Sequence, residues 1–556
     1  MKTKKYIMYI LGMLVIGISA CRKLDETLYS SILASNYYSN ENEVLSAVLR
    51  PYTHTNAWAT SSGQIGWWRI SELAADQLAW PQKGVDGYDG AKWIRLHYHT
   101  WIANDDDVTN PWTLLWTGLG YCTSAIENLS TRSASDMGIE EADRVSYIAE
   151  MKMLHAFYYI RIMDLWGNVP WVTSTSVENP ATVSRAVIFD SVENEIKANI
   201  DAMPEMTSSN VGRLTRAGAY AMLVELYLNA EVWSGTARWA DCITACDSLI
   251  SGNMGGVVGN LTLDSTVLQT YKPSNRTTSQ EQIFSIVYNY QTASFNTNFP
   301  SDFYHFHQQY IYGGTVNGNN GIIVVPGVYS TFDDADLRKK NWFFVGPMWY
   351  YNSTTGEDNA DTTQPVEGYR EYTGKQLVFV DAIKRYSELS SGASSADSAA
   401  LTSDMTHGEE SSGVRFNKYK LGASDDDNYR STSWIIYRLT WIYYAKAEAL
   451  MRLNGNEATD EAVDLINTCR ERDFDASVWS AKKYTTSNFT MDSLLAERGR
   501  EFIFEGYRRQ DIIRFGTFLT GTWWDHTATN DANKLLFAIP STQLALNPNL
   551  VQNTGY

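Results

Sequence analysis

Between Val145 and Trp166 apolar residues return at helical spacing (Ile148, Met151, Leu154, Tyr158, Ile162, Leu165), and the pattern stops at Gly167 with Pro170 beyond it. A glycine suited to a left-handed C-cap and a proline that cannot continue the turn predict a helix with a defined end. The same reading predicts a helical pair over 214–233 and 237–250, closed by Gly252, and another over 434–453 and 457–472, divided by Asn454-Gly455-Asn456. Val224-Glu225-Leu226-Tyr227 and Ala447-Glu448-Ala449-Leu450 stand at comparable places in these two pairs, each followed by a short turn and a second helix, which marks a degenerate helix-turn-helix repeat.

These units resemble tetratricopeptide repeats. Between them, residues 61–110 and 252–430 are rich in Gly, Ser, Asn, Asp and aromatic residues and follow neither the helical nor the strand period. Within the second stretch, 386–412 is dominated by Ser, Ala, Gly, Asp and Glu and reads as an exposed loop. The fold class expected is mainly α: tetratricopeptide-like helical repeats over about 30–60, 110–251 and 431–556, with long loop-rich insertions at about 61–110 and 252–430.

The N-terminus has its own pattern. Lys2, Lys4 and Lys5 precede an apolar run from Ile7 to Ile18, too short to span a bilayer, and Ser19-Ala20-Cys21 follow. Residues 1–20 are therefore expected to be a signal peptide. The cysteine directly after Ile18-Ser19-Ala20 resembles a lipobox, which makes Cys21 the expected lipidation site and 21–556 a single mature unit. Arg22-Lys23-Leu24-Asp25-Glu26 resembles the basic-then-acidic tag of surface-exported lipoproteins.

Composition narrows the function classes. With 45 Lys plus Arg against 63 Asp plus Glu, the formal charge of −18 argues against nucleic acid or an anionic membrane surface as partner. The 19 Trp and 34 Tyr beside 19 Phe favour rings with a polar handle, as a recognition surface requires and a core does not. Apart from Cys21 there are Cys122, Cys242, Cys246 and Cys469, too sparse for a disulfide framework; Cys242 and Cys246 read as buried helix cysteines.

Near the C-terminus, Glu497-Arg498-Gly499-Arg500-Glu501-Phe502-Ile503-Phe504-Glu505-Gly506-Tyr507-Arg508-Arg509 is followed by Asp511 and Arg514, and the chain closes with Ala538-Ile539-Pro540 and Asn547-Pro548-Asn549-Leu550-Val551-Gln552-Asn553-Thr554-Gly555-Tyr556. Further blocks run in order: Glu72-Leu73-Ala74-Ala75-Asp76 with Trp80-Pro81, His97-Tyr98-His99-Thr100-Trp101, His155 to Pro170, and Gly212-Arg213-Leu214-Thr215. Together they resemble the SusD/RagB family of nutrient-binding outer-membrane lipoproteins, over essentially the whole mature chain. Gln77 departs from the pattern, where an acidic residue often follows the aspartate, as does Arg509-Gln510, where an aromatic commonly precedes the next aspartate.

The resemblance implies a SusD-like fold that binds an oligosaccharide or polysaccharide outside the cell. It also implies delivery to a SusC-like TonB-dependent transporter, a lipid anchor in the outer membrane, no catalysis and no cofactor. Sugar rings offer a flat C–H face for indole or phenol and hydroxyls for Asp, Asn, Gln or Arg at the rim. One candidate loop holds Trp67, Trp68, Trp80, Asp86, Tyr88, Asp89 and Trp93; the other holds Tyr310, Tyr312, Asn319, Trp342, Trp349, Tyr350 and Tyr351. Trp80, Tyr88, Trp93, Tyr310, Tyr312, Trp349, Tyr350 and Asp76 are the expected glycan-binding residues, with the two loops meeting on one face. Trp101 and Trp112 read as core.

Two other classes compete. A glycoside hydrolase would need paired carboxylates; Glu497, Glu501 and Glu505 fall at i, i+4, i+8 on one expected helix face, but Arg498, Arg500, Arg508, Arg509 and Arg514 are interleaved with them, which favours a structural ion network. His97 with His99 and His305 with His307 have zinc-ligand character without a completed set, and read as satisfied loop or core histidines. The acidic runs Asp105-Asp106-Asp107 and Asp425-Asp426-Asp427 offer calcium-type ligands and read first as solvated loop faces. A tetratricopeptide-type protein-interaction scaffold would explain the repeats but not the aromatic loops.

Overall fold

In the computed structural model, residues 37–60, 66–251, 253–289, 299–422, 424–425 and 430–556 are described. The signal-like segment, Cys21 and Arg22 to Glu26, and also Gly252, Asp426 and Asp427, lie outside them.

The Glu141–Trp166 helix is buried almost all round from Ala149 onward, so no amphipathic stripe restricts which side meets a neighbour. It lies between the Asp106–Thr131 and Arg185–Asn199 helices, and Gly167, at φ 68°, closes it as its sequence predicts. Glu41–Thr60 packs on Asp106–Thr131 to extend this layer at one end. At the other, Arg216–Leu228, Trp239–Ile250, Leu439–Leu453 and Asp460–Arg470 follow, each against the next. One continuous apolar core runs through these helices. Trp101 and Trp112 lie inside it, as do Cys122, Cys242, Cys246 and Cys469, all free thiols.

Several boundaries differ from the sequence reading. The expected 214–233 helix begins at Arg216 behind the Thr215 N-cap and breaks at Asn229, whose side-chain amide donates to the Glu225 carbonyl at 2.9 Å and competes with the backbone ladder. Trp434–Arg438 is a strand, and the helix starts only at Leu439. A short apolar run does not distinguish buried helix from buried strand; here it pairs antiparallel with Gln282–Ile286, and both strands are fully buried, so each supplies the other's backbone partners. The Trp67–Leu73 segment, read as loop, is a helix with all seven residues buried, which leaves no polar face for a periodic signal. Trp67, Trp68 and Trp342 are accordingly core residues.

The stretch 386–412 is only partly exposed. Its first part carries a short Ser395–Ala400 helix with a capping box, while Glu409, Glu410, Ser411 and Ser412 are buried. The acidic run at 105–107 is not a solvated face either. Asp105 pairs with Arg95, and Asp107 is buried with neither carboxylate oxygen hydrogen-bonded among the described residues. Burial, helped by Asp105, pushes the Asp107 carboxyl up to about 8.

The helix carrying Glu497 and Glu501 ends at Glu501, and Glu505 follows in a turn, yet all three carboxylates enter one buried ion network. Arg338 contacts Asp336 at 2.8 Å, Asp473 at 3.0 Å, Glu497 at 2.7 Å and Glu501 at 2.7 Å. Arg438 contacts Glu281, Glu501 and Glu505 at 2.9–3.1 Å. Arg472 adds Glu281, Arg500 and Arg470 add Glu497, and Lys418 adds Glu505. Burial alone would raise these carboxylates, but Arg472 and Arg438 hold Glu281 down at about 2, and Arg500, Arg338 and Arg470 hold Glu497 well below its ordinary value.

Arg338→Met should cost on the order of 3–5 kcal/mol, since four carboxylates lose their shared cation in a dry site; denaturant unfolding reads the loss. Because the folded pKa values of Glu281 and Glu497 lie below the unfolded ones, their stabilisation is complete above about pH 4.5 and drains as pH falls toward 2. Asp107→Asn should act in the opposite window. The folded state retains a proton there that the unfolded state releases, so the wild type loses stability as pH rises from about 4 to 8, and the variant should flatten that slope in thermal scans at stepped pH.

Candidate functional site

The short strand Leu78–Ala79 pairs antiparallel with Ile323–Val324, which lays the loop after Ala79 beside the segment before Gly321. Two ion contacts secure the join: buried Arg69 pairs with Asp302, and buried Lys83 donates to the carbonyls of Asn320 and Gly321. Trp80 comes to lie flat on Trp93, with ring centroids 4.6 Å apart and planes 5° from parallel. Gly321 makes this possible, since a Cβ there would sit 2.5 Å from two carbons of the Trp80 ring. Asp89, Gly90 and Ala91 are three successive left-handed residues that turn the chain tightly into the Lys92–His97 helix, and the Asp89 carboxylate accepts from Trp93 Nε1 at 2.7 Å.

The paired indoles line a cavity of about 410 Å³, whose other walls are Arg69, Asp86, Gly87, Asp89, Lys92, Asp302, Phe306 and Asn319. Each carboxylate in it is engaged. Asp86 pairs with Arg370 at 3.0 Å, Asp89 with Trp93, and Asp302 with Arg69 and Asn319. Burial pushes Asp302 above its ordinary value against the pull of Arg69.

From Phe306 a chain of ring contacts leaves the cavity. Phe306 meets Tyr369 at 5.1 Å, Tyr369 meets His307 at 5.5 Å, His307 meets Tyr310 at 5.3 Å, and Tyr310 meets Tyr350 at 5.1 Å. Tyr369 is 51% exposed and Tyr88, on the other loop, 52%. Arg370 lies over both Phe306 and Tyr369 while it grips Asp86, so the two loops meet through one cation.

A buried layer holds this arc in place. Glu410 accepts from the backbone amides of Tyr369 and Arg370 at 2.5 and 2.6 Å and lies 2.6 Å from His305 Nε2. Burial would raise its carboxyl, but the His305 contact and the two amides outweigh it and hold Glu410 ionised; burial lowers His305. His97 and His99 belong to a different buried cluster. His97 Nε2 contacts the Trp524 carbonyl and His99 lies between the Ala74 carbonyl and Thr529, with burial and His526 pushing both imidazoles down to about 3. Among the described residues no group of three or more His, Cys, Asp or Glu is placed to hold a metal ion.

Of the expected binding residues, Trp80 and Trp93 line the cavity but are buried in the main apolar core, Tyr310 and Tyr350 end the arc, and Tyr88 is exposed on the first loop. Trp349 is half-buried on the Trp349–Asn352 strand of a hairpin with Glu357–Pro365. Two belong elsewhere. Tyr312 is buried in a small apolar cluster with its hydroxyl on Asn417, and Asp76 is clasped by Arg508 at 2.6 and 2.8 Å, so neither presents a free group. Gln77, the departure in that block, donates to the Gly499 carbonyl at 2.8 Å. Phe306, Tyr369 and Arg370 join this arrangement without being among the expected residues, and His307, read from the sequence as a satisfied histidine, joins it too; the density of rings in His305-Phe306-His307 beside Tyr310 is the signal the sequence carries for Phe306 and His307.

Comparison with known proteins fits this architecture. The profile described as SusD family matches residues 269–556, and one described as starch-binding associating with outer membrane matches 69–228. Starch-binding protein SusD of Bacteroides thetaiotaomicron is 25% identical over 439 residues, 75% of this chain and 74% of that one. SusD-like protein P25 of Formosa agariphila is 22% identical over the full length of both. Among solved structures, surface glycan-binding protein A from Bacteroides thetaiotaomicron in complex with laminarihexaose superposes with a TM-score of 0.67 at 18% identity, covering 92% of this chain and 99% of that one. NanU of B. fragilis gives 0.69 at 18%, covering 95% and 99%. No helix among the described residues is long and apolar enough to cross a membrane.

Gly321→Ala should force the Trp80 ring off Trp93 at a cost of about 1–3 kcal/mol. Loss of the coupled tryptophan exciton signal in circular dichroism would register the separation.

Proposed function

The chain belongs to the SusD family, and from that premise we propose that it binds glycan at the Trp80–Trp93 cavity and along the ring arc without cleaving it. The observation that carries this reading is a polar cavity walled by the stacked Trp80–Trp93 pair and continued outward by exposed phenols. A sugar ring can lay its C–H face on the exposed ring of Tyr369 or Tyr88 while its hydroxyls meet Lys92, Asn319 and the carboxylates of Asp86 and Asp89. The starch-binding and laminarihexaose-bound relatives support this ligand class.

Non-catalytic binding is favoured because every cavity carboxylate is already committed to Arg370, Trp93 or Arg69, whereas a glycosidase keeps one carboxyl free to donate a proton and another to attack or activate water. The proposal extends to an outer-membrane lipoprotein anchored through Cys21, with helices facing a SusC-like TonB-dependent transporter and loops facing the ligand. Weak capture suffices there, since tethering raises the effective concentration at the transporter.

The test is affinity electrophoresis of the chain from Lys23 onward through gels containing a panel of polysaccharides, with reducing-end release assayed in parallel. Retardation by at least one glycan without release is expected. Tyr369→Ala should weaken retention roughly two- to tenfold, as loss of about 0.5–1.5 kcal/mol of stacking implies, and Trp80→Ala, which removes the buried wall of the cavity, should act in the same direction. Unchanged retention in both variants would reject this site, and released reducing ends would reassign the chain as a hydrolase.

A further inference from the structure

A second cavity, of about 280 Å³, opens where the end of the Glu141–Trp166 helix, the start of Arg185–Asn199 and the C-terminal segment meet. It shares no lining residue with the Trp80 cavity. Asn168, Arg185, Trp233, Gln510, Asn533 and Asn553 are among its walls, and Asn168 and Thr554 are exposed at its edge.

The charge balance here is incomplete. Asp164 is the one acidic residue in the lining, and it already accepts from Trp67 Nε1 at 3.1 Å and pairs with Arg509 at 3.4 Å. The Arg185 guanidinium lies over the Trp233 ring at 5.6 Å and hydrogen-bonds only the Asp164 backbone carbonyl, at 3.4 Å, while its buried Nε has no hydrogen-bond partner among the described residues. The one carboxylate of the lining is thus engaged by Arg509 and makes no ion pair with Arg185. Burial lowers Arg185 to about 9, with Asp164 only partly opposing, which is the mark of a desolvated cation short of a counter-charge.

The polar walls sort into occupied and free. Gln510 is committed to Glu225, and the Asn553 amide to the carbonyls of Trp166 and Phe537. Asn168 uses its Oδ1 to accept from the Arg185 backbone amide, which leaves its side-chain N–H donors uncommitted among the described residues. A planar guanidinium takes a carboxylate through paired N–H bonds, and neighbouring side-chain amides suit hydroxyls. At about 30 Å³ per water the space holds roughly nine waters, enough for one six-membered sugar ring and too much for a bare anion.

We propose that this cavity is a second ligand site, which takes a small carboxylate of monosaccharide size with Arg185 receiving the charge. It is independent of the aromatic site and of what that site binds.

Calorimetric titration of the chain from Lys23 onward with D-galacturonate, D-galactose and acetate tests it. Galacturonate should bind at least tenfold more tightly than either of the others. Arg185→Gln should abolish at least tenfold of that affinity, and Asn533→Ala, which removes no charge, should weaken it severalfold. Wild-type thermal midpoints for the two variants serve as the folding control. Absence of galacturonate binding, equal binding of galactose, or wild-type affinity in folded Arg185→Gln would overturn the proposal; acetate as tight as galacturonate would overturn the size match.

Discussion

Arg338 is a fully buried cation in contact with four carboxyl groups from three separate parts of the chain, and it hydrogen-bonds three of them, Asp336, Glu497 and Glu501. Such a group has no water to fall back on, so its partners must arrive together or not at all. Arg438 repeats the arrangement one step away and joins Glu281 to Glu501 and Glu505. Through these two guanidiniums and the Lys418 ammonium the long insertion after the first helical array is bound to the C-terminal segment at fixed points, at 281, 336–338, 418 and 438. A hydrophobic interface of equal size would tolerate sliding, whereas paired ions with directed hydrogen bonds fix the register.

The candidate site inherits its geometry from that register. The segment anchored at Glu281 and Arg338 also supplies Asp302, Phe306, Gly321 and the strand that pairs with Leu78–Ala79. Arg69, Lys83 and Glu410 repeat on a smaller scale what Arg338 does for the whole, with buried charges tying loop backbone to loop backbone. The rings can therefore be partly exposed and still held in order, as a binding surface for a ligand with little shape of its own requires.

The Arg185 cavity is the counter-example that gives the rest its meaning. Most buried guanidinium groups of the core are matched by acid groups, as Arg161 is by Glu225 and Arg514 by Glu448 and Asp511, and Arg415, which bonds only the Glu410 carbonyl, is another exception. At Arg185 the matching group lies beyond reach, and the space in front of it is open.

The sequence by itself determined the mainly helical class, the Gly167 stop, the core placement of Trp101 and Trp112, and the ionic character of the Glu497 to Arg514 block, because these follow from spacing and residue type over short distances. It also placed Trp80, Trp93, Tyr310 and Tyr350 among the rings of interest. Only the tertiary structure decided that Trp434–Arg438 is a strand, since its partner lies about 150 residues away, and that Trp67, Trp68 and Tyr312 are packed while Tyr369 is exposed. Burial and ion pairing are properties of what the rest of the chain brings alongside. Asp76 and Asp107 look alike in sequence, but Arg508 claims one and no described residue hydrogen-bonds the carboxyl of the other.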